Sequence, residues 1–118
     1  MKTLLILLLL ISTSAKSDDW SSSDTYREAA YLTLHAADWL QTRQIARGVG
    51  DRYETNVILG DHPSIEKVDT YFALTALAHV GIAYMMPSDL RSYFQYFTII
   101  VESDYVTHNL NAGIKIKF

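Results

Sequence analysis

The residues able to do chemistry in this chain are carboxylates and imidazoles spaced three and four apart. His35, Asp38 and Thr42 recur at that step, as do Gln95, Thr98, Glu102, Tyr105 and Asn109 further on, so on helices each set shares one side. If both stripes faced inward with His79, two carboxylates and two imidazoles would meet, enough for a metal site or a proton relay. His35 with Asp38, or Asp104 with His108, could each reach one ion. The alternative is that each stripe is the wet side of an amphipathic helix, or a set of hydrogen bonds that fixes helix register. Nothing matches H-E-x-x-H, G-x-S-x-G or a glycine-rich phosphate loop, and no cofactor is expected.

The loop from Gly48 to Ser64 collects Glu54, Asn56, Asp61 and His62 beside three glycines, more polar and special-backbone positions than a linker needs. It is read as a reentrant or capping loop. The candidate polar centre is therefore His35, Asp38, Glu54, Asn56, His62, His79, Glu102 and His108.

Three helices must position these groups. The first is predicted from about 25 to 47, with Ser23 or Asp24 as cap and Gly48 and Gly50 as stop. The second runs from about 65 to 86, capped by Ser64 and ended by Pro87. The third runs from about 89 to 108, capped by Ser88, and Asn109 to Gly113 ends it. Ile114 to Phe118 alternates apolar and basic residues, as in a short strand or an extended amphipathic tail. Ala73, Ala76 and Ala83, with Val80 in the same sector, form a small-residue strip that would admit a second backbone. The expected fold is all-α: an up-down-up bundle at 25–113, after a signal peptide at 1–15 and a flexible lead-in at 16–24.

The signal is read from Met1-Lys2, the Leu/Ile run from Leu4 to Ile11, and Ser12 to Ala15 as a cleavage site. At 118 residues the chain holds one domain. A net charge of -3, with acids and bases intermixed, offers no basic face for nucleic acid. The absence of cysteine excludes disulfides, thiolate zinc sites, a cysteine nucleophile and a lipidated cysteine.

Between Val68 and Pro87 the groups that carry charge are Asp69 and His79, so the second helix is the best transmembrane candidate. With the new N-terminus outside, three spans would place Arg47, Arg52, Lys67, Lys115 and Lys117 on the cytoplasmic side, as the positive-inside rule asks. The expected location is thus the bacterial inner membrane, the competing one the periplasm. A terminal Phe118 is also found on outer-membrane barrels, but the chain has too few alternating segments to build one.

Tyr53-Glu54-Thr55-Asn56, then Leu59-Gly60-Asp61-His62-Pro63-Ser64, with Asp38 and Thr42 upstream, resembles a pattern in small uncharacterised membrane proteins of bacteria and their phages. In those, Val57 is usually Pro. The resemblance covers roughly residues 38 to 110, and implies a multi-span helical membrane protein and no activity. The function expected from all of this is noncatalytic interaction with an envelope protein or lipid. The alternatives are an intramembrane metal- or proton-handling element using Asp38, His79 and Glu102, and a soluble periplasmic helical binding protein.

Overall fold

The computed structural model describes residues 20–48, 53–54 and 56–117. The expected signal peptide, most of the lead-in, Gly50 and Phe118 lie outside the described residues. Three helices follow one another: α1 (Ser22–Ala46), α2 (Ile65–Met85) and α3 (Ser88–Asn111).

Local chemistry sets the helix ends. Four polar residues in a row, Ser21 to Asp24, could start α1. The start falls at Ser21 because only there does Asp24 become the third helical residue and close a capping box: Asp24 N–H donates to Ser21 Oγ (3.2 Å) and Ser21 N–H to Asp24 Oδ2 (2.8 Å). The expected Ser23 or Asp24 cap is thereby corrected, and residues 22–24 are helix rather than lead-in. α1 stops where Gly48 turns left-handed (φ 74°). Ser64 caps α2 as expected, accepting from Lys67 N–H at 3.1 Å. Met86 is extended before Pro87, which ends α2. Pro87 and not Ser88 is the N-cap of α3, with no side-chain cap bond. α3 runs three residues past its expected end, to a turn at Gly113 (φ 85°).

α1 packs along both other helices, which meet each other less. Its inward line is Asp24, Glu28, Tyr31, His35, Asp38, Thr42 and Ile45, stepping by four and three; Arg91, Gln95, Glu102 and Val106 continue that rhythm on α3. On α2 the line is Val68, Phe72, His79 and Ala83. The small-residue strip is not the seam: Ala83 is buried, but Ala73 and Ala76 are half-buried and Val80 is exposed. His35, Asp38 and Thr42 on α1 and Gln95 and Glu102 on α3 face inward, which corrects the reading of the stripes as wet sides, while Tyr105 of the α3 stripe is exposed.

Apolar packing is concentrated at one end, where Leu59 from the loop sits on Val68 and Phe72, flanked by Trp39, Ala46 and Tyr71. Beyond Gly113 the tail forms no strand among the described residues. Ile114 is buried, and Gln41 and Gln44 donate to the carbonyls of Ile114 (3.4 Å) and Lys117 (3.3 Å).

The transmembrane expectation is not met in the form given. Among the described residues no helix is long and apolar enough to cross a membrane. The reason in α2 is that Asp69, Thr70, Tyr71, Thr75 and His79 interrupt its apolar residues.

Candidate functional site

The interior is a polar column along α1. At the end formed by the α2–α3 turn, Arg91 is fully buried and donates from Nη1 to Asp24 Oδ2 (2.9 Å), from Nε to Ala83 O (2.7 Å) and from Nη2 to Met86 O (2.9 Å). It thus ties the start of α1 to backbone carbonyls at the C-terminal end of α2. Arg27 also pairs with Asp24. Burial alone would raise the Asp24 carboxyl, but the Ser21 hydrogen bonds and the Arg91 guanidinium outweigh it and hold it below the usual carboxylate range.

One turn deeper, Gln95 donates to Glu28 Oε1 (3.1 Å), and Glu28 Oε2 lies 2.7 Å from His79 Nδ1. His79 Nε2 lies 2.7 Å from Thr98 Oγ1, which is also within donating distance of the Phe94 (2.9 Å) and Gln95 (3.0 Å) carbonyls. Both ring nitrogens of His79 therefore have hydrogen-bond partners. Tyr31 covers it, ring centroids 3.4 Å apart and planes 9° apart, with Phe94 against the imidazole at 4.6 Å.

Tyr31 also divides the column. Beyond it, His35 Nδ1 lies 3.3 Å from Tyr31 Oη and 3.2 Å from Glu102 Oε1. Its Nε2 lies 3.0 Å from both the Phe72 carbonyl and Thr75 Oγ1. Glu102 and Asp38 lie within hydrogen-bonding reach of each other, and Asp38 Oδ1 takes Thr42 (3.3 Å) and Asn109 (3.5 Å) as donors. Burial, then the Glu102 and Glu54 charges, push the Asp38 carboxyl up to about 8. Glu102 Oε2 is buried without a hydrogen-bond donor among the described residues.

The loop closes this end. Glu54 N–H donates to Asp61 O (2.8 Å), and Asn56 Oδ1 accepts from Ile58 N–H (2.9 Å). Asn56 Nδ2 donates to Tyr71 Oη (3.0 Å), and Gly60 takes φ 82°. These bonds make it a capping loop, with Leu59 as its plug. Under it is a cavity of ≈ 20 Å³ lined by Asp38, Glu54, Asn56, Tyr105, His108 and Asn109 among others, with room for one water.

Of the expected polar centre, His35, Asp38 and Glu102 are brought into contact, with Glu54, Asn56 and His108 around the adjoining cavity. His79 belongs to a separate pair beyond Tyr31, and His62 is exposed on the loop. Among the described residues no group of three or more His, Asp and Glu side chains is arranged to hold a metal ion. No protein-family model, curated protein or solved structure matches the chain.

Sequence reasoning missed Asp24, Glu28, Tyr31 and Arg91. The signal for them was present, because the three-and-four step from His35 back along α1 reaches Tyr31, Glu28 and Asp24, and from Gln95 back along α3 reaches Arg91.

Proposed function

We propose that this chain is a small envelope protein that acts by interaction, its helical bundle seated in lipid with the capping-loop end in water. The observation that carries the reading is polarity turned inside out. Ion pairs and amides fill the interior, while Leu77 (70% exposed), Phe97 (67%) and Ile100 (67%) face outward. Between Asp69 and Asp104 the one exposed charged residue is Asp89, at the α2–α3 turn. A bundle folding in water would place these faces the other way round.

The uncharged surface continues on α1 through Ala29, Ala30, Thr33 and Ala36, so it encircles the bundle. A single protein partner would need only one side, and a belt on all three helices favours lipid. Aromatic residues bound the belt: Tyr26, Tyr84 and Tyr93 at one edge, Trp39, Tyr71 and Tyr105 at the other. About thirteen residues separate the two rows on each helix, or about 20 Å at 1.5 Å per residue. A hydrocarbon layer is about 30 Å thick, so the belt seats in lipid without spanning an unperturbed bilayer.

Because the chain has no cysteine, single spin labels test this without background. Leu77→Cys, Phe97→Cys and Ile100→Cys, in full chain reconstituted with phosphatidylethanolamine and phosphatidylglycerol vesicles, should be relaxed by oxygen and shielded from a nickel chelate. Glu66→Cys and Thr107→Cys should show the reverse. Chelate access at the belt positions refutes lipid seating. A lipid-free soluble oligomer that buries those positions refutes it in favour of a second copy, and a lipid-free soluble monomer in favour of a periplasmic binding protein.

A further inference from the structure

We infer that Asp38 and Glu102 form a proton-binding site, in which the two carboxyl groups share one proton that exchanges with water through the cavity beneath the capping loop. Three observations point there.

The first is the contact itself. Two ionised carboxylates are both acceptors and cannot hydrogen-bond each other, so carboxyls within bonding reach need a proton between them. The second is Glu102 Oε2, a buried acceptor atom with no donor among the described residues. A proton on Asp38 gives that oxygen its donor. Asp38 Oδ1 is already turned to Thr42 and Asn109, which leaves the other Asp38 oxygen for Glu102.

The third is the shortage of compensating charge. The titratable groups facing the pair are Tyr31 and His35 from α1, Glu54 from the loop, Tyr71 from α2, and Tyr105 and His108 from α3. His35 is the imidazole in contact with the pair. Arg91 and Arg27 are held at the opposite end by Asp24, and Arg43 lies 3.5 Å from Asp69 on the outside. With no lysine or arginine against the two buried carboxylates, and Glu54 adding a third negative charge nearby, the site is short of positive charge, and a bound proton reduces the imbalance. The position of Asp38's titration, near 8, agrees with that reading.

Access is one-sided. The cavity touches Asp38, and His108 on its wall is exposed, so a proton leaving Asp38 passes to a cavity water, then to the His108 imidazole and on to bulk water. In the other direction the hydrogen-bonded path stops at Tyr31, which meets His79 through ring faces and not through its hydroxyl. The site therefore loads and unloads its proton from the loop end, and the Glu28–His79 pair takes no part.

Difference infrared spectroscopy on the full chain in detergent micelles or vesicles tests the assignment, and does so whether or not the belt seats in lipid. The wild type should show one protonated-carboxyl C=O band at neutral pH, lost as pH rises through about 8 and shifted by isotope labelling of Asp and Glu. The band should vanish in Asp38→Asn or change frequency in Glu102→Gln. Glu54→Gln, outside the pair, should move the midpoint down by removing one nearby negative charge. His108→Gln should slow hydrogen–deuterium exchange of the band severalfold without moving the midpoint. Absence of the band in labelled wild-type protein, a measurement that needs no variant to fold, overturns the proposal. So does persistence of the band unchanged in folded Asp38→Asn.

Discussion

Arg91→Ala is the most incisive test of the polar interior. The guanidinium is fully buried, and its loss leaves Asp24 with Arg27 alone as its cationic partner, takes the side-chain donor from Met86 O, and leaves Ala83 O with Met86 N–H at 3.3 Å. Removing one partner of a buried ion pair costs about 3–5 kcal/mol. For a domain of this size total stability is about 5–15 kcal/mol, so roughly a fifth or more of it is at stake. Each kcal/mol moves the melting temperature by about 4–8 °C in a domain of 60–100 residues, so a fall of at least about 12 °C is expected in circular-dichroism melts of the micellar protein. Arg91→Lys should recover part of this: an ammonium can reach Asp24 but cannot donate to Asp24 and to two carbonyls in the same planar fork. Combined with Asp24→Asn in a double-mutant cycle, the coupling should be about 1–3 kcal/mol. A loss under about 1 kcal/mol, full rescue by Lys, or strict additivity would each refute the claim that Arg91 ties α1 to the end of α2.

Three further outcomes are expected. Since burial and neighbouring acids raise the folded value of Asp38 to about 8, the stability it contributes is complete below its unfolded value near 4 and is lost as pH rises between the two. Asp38→Asn should flatten that decline in pH-dependent melts and leave the variant more stable than wild type on the alkaline side; a parallel profile would count against the raised value. Asp24 works in the opposite sense, its lowered value giving stability that is present above about pH 4 and disappears as acid protonates it, so Asp24→Asn should blunt acid unfolding. Leu59→Ala, which empties the 2%-exposed plug between Val68 and Phe72, should cost about 2–4 kcal/mol in denaturant titration, against near neutrality for the outward Ile58→Ala.

Helix number and the breaks at Gly48, Pro87 and Gly113 were legible because each rests on a local property, a left-handed glycine or a proline that lacks an N–H. Which way the stripes face was not, and the reason is general. The spacing of His35, Asp38 and Thr42 defines a side of a helix, but periodicity has the same phase whether that side meets water or another helix. What decides between them is the company on the opposite side, and here Leu77, Val80, Phe97 and Ile100 are the residues left facing out. A hydropathy average over α2 sums both sides, so the half-buried Thr75 and the buried His79 dilute Leu74, Leu77 and Ile82, which are exposed. Leu59 was hidden for a different reason, since one apolar residue in a polar loop has no period and its burial depends on Asn56 and Gly60 folding the turn back over Phe72. The meeting of Asp38 with Glu102 lies further still from local pattern, because it joins residues sixty-four apart on two helices and depends on the register of α1 against α3, which Arg91 and Asp24 also bridge at the far end.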